Sequence, residues 1–178
     1  MGNMSEWIRD DDFRQSNGGG AVRFKVVFSR AGAPETCMIE ATTGNATVEK
    51  LVCSLVFKRF GFKPSLDANA KPAYRVLVRS ADFRTNRSTP PRIPTPPLFV
   101  LAVANPPKNP LVSVVVAVSE TGALVGCSPP EYEKMRSLAE AACQAIPAQW
   151  KPLTEINASG EPISYVRDIK IELQRTPS

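Results

Sequence analysis

The chain has 178 residues, enough for one large domain or two small ones, and its hydrophobic fraction of 43 % fits a globular fold rather than disorder. It holds four cysteines and no histidine, which excludes Ser-His-Asp and Cys-His catalysis and removes the usual partner of a zinc-binding cysteine pair. The net charge of +5 is uneven: residues 1–92 carry 15 Lys/Arg against 9 Asp/Glu, and residues 93–178 carry 7 against 8.

Residues 1–20 read as a lead-in arm. Trp7 to Phe13 is expected as a short helix or an extended arm, and Gly18-Gly19-Gly20 then frees the chain. This start is acidic and polar, with no secretory leader. Asp10-Asp11-Asp12 is read as a solvated acidic stretch, with a divalent-cation site as the lesser alternative.

Residues 21–83 read as a first unit. Val22, Phe24, Val26 and Phe28 alternate with Arg23, Lys25, Val27 and Ser29, the period of a half-buried strand. Arg30-Ala31-Gly32 makes a turn, and Pro34–Ala41 returns as a second strand with Cys37 and Ile39 on one face. Thr43-Gly44-Asn45 breaks it. A helix is expected from the N-cap Thr47, with Val48, Leu51, Val52, Leu55 and Val56 as its apolar stripe. A third strand covers Ala73–Phe83.

Residues 84–97 are dense in proline and read as a semi-rigid linker in polyproline II conformation. Residues 98–178 read as a second unit. Leu98–Ala104 is too apolar for a linker and is expected to add as an accessory strand. Val112, Val114, Val116 and Val118 form the next strand, Thr121-Gly122 the turn, and Cys127 closes the return strand. Ser128 and Pro129 are expected to cap a helix whose stripe is Tyr132, Met135, Ala139, Ala142 and Ile146. Pro147 ends it. Asn157–Gly160 is a turn, and the last strand is Ile163–Leu173.

The two units are the same text read twice. At an offset of 90, Val22–Cys37 overlies Val112–Cys127 without a gap, so that Ser29 meets Ser119, Gly32 meets Gly122 and Ala33 meets Ala123. Cys53 meets Cys143 and Pro72 meets Pro162 at the same offset. Such self-similarity marks a repeated structural unit. The expected fold class is α+β: two tandem ββαβ units, each a three-stranded, mostly antiparallel sheet packed on one helix.

Each unit has two cysteines 16 apart. Pairs repeated in register point to one disulfide per unit, Cys37 with Cys53 and Cys127 with Cys143, and hence to an oxidising compartment. Four buried thiols are the alternative. A disulfide would staple helix to sheet in a domain whose small core needs help.

The first unit resembles the carboxy-terminal periplasmic domain of TonB-like energy transducers, especially a subgroup with an extra cysteine pair. The match runs from Trp7 through Asp11-Asp12-Phe13 and Gly20-Ala21-Val22-Arg23-Phe24 to Gly32, Cys37 and Thr43-Gly44-Asn45. Cys53, the run Arg59-Phe60-Gly61-Phe62-Lys63-Pro64, and Pro72 complete it. The second unit looks like a divergent copy, keeping Gly122, Cys127, Cys143, Trp150-Lys151-Pro152 and Gly160-Glu161-Pro162. Arg14 replaces the family's proline, Val48-Glu49 stands where Leu-Asp is usual, and the second unit has Pro129-Pro130 in place of the Ser-Gly signal. The family's membrane helix and preceding proline-rich spacer are not in this sequence, so energy transduction is not expected of this chain alone.

The resemblance implies a non-enzymatic periplasmic module that receives an extended segment of an envelope or outer-membrane transport protein by strand addition. The full-length protein would be anchored in the inner membrane or exported by a signal not present here. The candidate partner-binding residues lie on the third strands: Tyr74, Arg75, Val76 and Arg79, then Tyr165, Val166 and Arg167. TonB-dependent receptor segments are the implied partners, with self-association beside them. The alternative is a scaffolding envelope protein whose two units pair as a pseudo-dimer. No catalytic residue, metal, cofactor or nucleic-acid partner is expected. No apolar run reaches the roughly 18–20 residues of a membrane helix.

Overall fold

The structure is a computed structural model that describes residues 9, 11–12, 16, 19–67, 70–83, 93, 99–103, 105, 108, 111–130, 133–151 and 153–175. Most of the lead-in arm, including Trp7 and Phe13, and all of the proline-rich linker but Ile93 lie outside the described residues. So do Tyr132 of the second helical stripe and Pro152. Among the described residues the fold is α+β, with mixed strand pairing, two α-helices of ten or more residues and two disulfides. Two compact units divide the chain: Met1–Ser65 with Tyr74–Thr95, and Leu66–Ala73 with Pro96–Ser178.

In the first unit β1 (Gly20–Phe28) is flanked directly by β2 (Pro34–Thr42) and by β4 (Pro72–Phe83), which follows the short β3 (Ser65–Leu66) in the chain, both antiparallel to it. The alternation of Val22, Phe24, Val26 and Phe28 places those four on one face, where all are buried. Helix α1 (Ala46–Arg59) covers that face with Val48, Val52, Leu55 and Val56, while Leu51 packs partly buried at its margin. Leu77, Ala81 and Phe83 of β4 join the same core. Phe28 also meets the chain leaving α1, edge-on to Phe62 at 4.8 Å between ring centroids. Burying each such side chain is worth about 1.5–3 kcal/mol.

The cap of α1 is Asn45 rather than Thr47. The Asn45 carboxamide oxygen accepts from the amides of Thr47 (3.0 Å) and Val48 (3.3 Å). Its amide nitrogen donates to the carbonyls of Ser16 and Gly19. Asparagine wins because it satisfies the helix end and the lead-in chain with one side chain.

In the second unit β6 (Leu111–Val118) lies between β7 (Leu124–Ser128) and β8 (Tyr165–Arg175), antiparallel to both. The apolar segment near residue 100 does form an accessory strand, β5 (Phe99–Val103), paired parallel to β8. Val112, Val114, Val116 and Val118 are buried with Ile163, Ile169, Ile171 and Leu173.

Helix α2 (Arg136–Ala145) starts later than Ser128-Pro129 would place it. Ser128 instead ends β7. Pro130 follows Pro129 directly, and a residue before proline avoids the α region, so a helix cannot begin there. Glu133 supplies the turn into α2: its carboxylate accepts from the amides of Met135 (3.0 Å) and Ser113 (2.7 Å). Met135 at the N-cap makes no side-chain cap bond. Pro147 lacks the amide an α-turn needs, and the chain tightens into a 3-10 turn over Ile146–Gln149. Together, α2 and this turn span 136–149, the span of α1 shifted by the repeat offset.

Candidate partner-binding edges

The two hairpins share their detail at the offset of the repeat. In each, the first turn serine donates its amide to the alanine carbonyl and accepts that alanine's amide on its hydroxyl: Ser29 with Ala33, and Ser119 with Ala123. Gly32 and Gly122 hold φ of +84° and +81°, a left-handed conformation that favours glycine. Val26 opposes Cys37 and Val116 opposes Cys127. Both hairpins shift register at the residue before the turn, between Val27 and Phe28 and between Ala117 and Val118.

The cysteines are bonded. Cys37 of β2 joins Cys53 of α1 with a Cα–Cα distance of 5.6 Å, and Cys127 of β7 joins Cys143 of α2 at 5.4 Å. Each bond ties an outer strand to the helix above it. Among the described residues no free cysteine remains.

β2 and β7 are the outer strands, and among the described residues no strand pairs with the far edge of either. The surroundings of the two edges differ. Beside β2, Met38 is 55 % exposed, on the sheet face opposite Cys37. Phe57 of α1 is 51 % exposed, one helical turn past Cys53 on the same flank. A strand laid along β2 would therefore find an apolar side chain on each side of the sheet. At the equivalent positions the second unit has Ser128 and Pro147, and the large exposed apolar residue of β7 is Val125. Sequence reasoning passed over both Met38 and Phe57, whose one signal is their place next to one half-cystine and four residues past the other.

The third-strand candidates divide into core and rim. Val76, Tyr165 and Val166 are buried, so their side chains are not available to a partner. Tyr74, Arg75, Arg79 and Arg167 are half-buried. The Arg30 guanidinium lies 5.3 Å over the Tyr74 ring, and that of Arg75 lies 5.3 Å over Phe62. Arg75 also donates to the Ser65 hydroxyl, and Arg79 to the Val78 carbonyl. Tyr165 donates its hydroxyl to the Leu153 carbonyl at 2.9 Å. Burial pushes its pKa up to about 12, Glu155 adding to the rise and Arg167 opposing it.

Asp12 is committed to a structural pair. Its carboxylate, 2 % exposed, accepts from both terminal nitrogens of Arg59 and from the Arg9 amide. Burial alone would raise its pKa, but the Arg59 hydrogen bonds, the Arg9 amide and the two positive charges outweigh it and hold the carboxyl below its ordinary 3.8. Among the described residues no group of three His, Cys, Asp or Glu is placed to hold a metal ion, and no helix is long and apolar enough to cross a membrane.

Family models, curated proteins and solved structures yield no match to this chain.

Proposed function

We propose that the chain is a tandem pair of ββαβ units that works as a non-enzymatic protein-binding module of the TonB-like kind in the periplasm. It receives an extended segment of an envelope or outer-membrane transport protein as an added strand. The observation that carries this reading is the pair of disulfide-backed outer strands, β2 and β7, whose far edges are unpaired among the described residues. An open edge offers a row of backbone donors and acceptors, and proteins usually blunt such edges unless they use them. The disulfides hold each edge against its helix, so the template is preformed and less ordering cost falls on binding. Two structural disulfides also belong to an oxidising compartment, which the periplasm is.

The β2 edge is the receiving one. Met38 and Phe57 offer an incoming strand a large apolar side chain on each face, whereas the β7 edge has Ser128 and Pro147 at those positions and Val125 as its large exposed apolar residue. Backbone pairing supplies affinity there, and the alternate side chains supply selectivity.

The test is an amide chemical-shift titration of the oxidised protein with amino-terminal segments of outer-membrane receptors. Shifts concentrated in β2 and around Phe57 support the reading. The absence of shifts in any strand at millimolar peptide would refute it and favour a scaffolding role.

A further inference from the structure

A second surface, unrelated to the strand edges, has the make-up of a small-molecule site. In the second unit an open cavity of about 440 Å³ is lined by Phe99, Val100, Gln149, Lys151 and Leu153. That volume lies within the range of roughly 300–1,000 Å³ typical of small-ligand pockets. Its floor is set by packing: Phe99 of β5 stacks on Trp150 with ring centroids 5.8 Å apart, and the Trp150 indole donates to the Gly122 carbonyl at 2.9 Å. The Leu153 amide donates to the same carbonyl at 3.1 Å, so Trp150 and Leu153 are both tied to Gly122. Val100 is 44 % exposed, on the face of β5 that the exposed Ala102 shares.

The charge of the described lining is one-sided: Lys151 is cationic, none of the others is acidic, and Gln149 brings a carboxamide. A lysine ammonium is donor-only and repels a cation, and a carboxamide can turn its N–H₂ toward an anionic acceptor beside it. Three apolar side chains beside them suit a hydrocarbon body. We infer that this cavity binds a small amphipathic carboxylate, with the acid group at Lys151 and Gln149 and the chain against Phe99, Val100 and Leu153.

The placement of Trp150 behind Phe99 gives the readout. The oxidised full chain carrying Trp7→Phe, so that Trp150 is the single indole, would be titrated with dodecanoate below its micelle concentration. Dodecyltrimethylammonium is the charge control. The expected result is a saturable fluorescence change with dodecanoate and a response at least about tenfold weaker with the cation, a difference of about 1.4 kcal/mol. Lys151→Glu should weaken dodecanoate binding by a similar factor, and Lys151→Arg should largely restore it. Val100→Asp should abolish it, and because Val100 is exposed the variant should keep its fold, checked by its amide spectrum. No saturable change with dodecanoate, or equal binding of the cation, would overturn the inference, as would an unchanged affinity in Lys151→Glu.

Discussion

The carbonyl of Gly32 accepts the amide of Phe62 at 3.0 Å, bolting the chain that leaves α1 onto the β1–β2 turn. The approach is so close that a Cβ on Gly32 would lie 1.9 Å from the Phe62 carbonyl oxygen. Gly122 repeats the arrangement with Leu153, whose amide nitrogen would lie 2.7 Å from an added Cβ. Both glycines also hold positive φ. Strain and collision therefore add at each site. Gly32→Ala or Gly122→Ala should cost about 2–4 kcal/mol in urea unfolding. Gly44 is the control: its φ is +90° but nothing lies within 4 Å of an added Cβ, so Gly44→Ala should cost only about 1 kcal/mol.

Removing either disulfide should lower stability by about 3 kcal/mol, the chain-entropy value for closing a loop of this size. Each bond spans a sequence separation of 16. Urea midpoints of Cys37→Ser with Cys53→Ser, and of Cys127→Ser with Cys143→Ser, measure this. Reductant should destabilise the parent protein and leave the variant lacking both bonds unchanged.

The Asp12–Arg59 pair should make stability fall in acid. The Asp12 carboxyl has a folded pKa below its ordinary 3.8. A depressed carboxylate pKa stabilises the fold above the unfolded value and loses that contribution as pH falls through the folded value. Asp12→Asn should therefore destabilise the protein clearly at pH 6, and the gap to the parent should narrow as pH drops below 3.8. A gap that stays constant with pH would place the effect elsewhere.

Tyr165 should ionise near pH 12, by ultraviolet difference titration. A raised phenol pKa favours the neutral form in the fold. Its stabilising contribution is complete below the unfolded value of 10 and is lost as pH rises toward 12. Tyr165→Phe keeps the ring in the core and removes only the bond to the Leu153 carbonyl, which leaves that acceptor unmet and should cost about 1–2 kcal/mol.

Much of the architecture is legible in the residues because strand and helix periods survive there undisturbed. Val22 to Phe28 and Val112 to Val118 keep a large apolar residue at every second position, and Val48 to Val56 keeps one stripe. The offset of the repeat then supplies the cysteine pairing, since one register serves both hairpins. The helix starts were less legible. Asn45 outcompetes Thr47 through contacts with Ser16 and Gly19, which are distant in sequence. Ser128-Pro129 carries a helix-start signal that Pro130 cancels by backbone sterics.

The candidate site was less legible still. Alternation marks which residues share a face but not which face is covered, so Val76, Tyr165 and Val166 read as partner-binding candidates although packing buries them. Phe57 looks like one more apolar residue of a helix. Only the bond from Cys53 to β2 reveals that its flank borders an open strand edge.

Amide hydrogen exchange along β2, measured on the oxidised protein with and without a saturating receptor segment, tests the strand-addition reading most directly. Added pairing should slow exchange at alternate amides of Pro34–Thr42 and leave Leu124–Ser128 as it was. Exchange in β2 that is unchanged while the segment is demonstrably bound would contradict it.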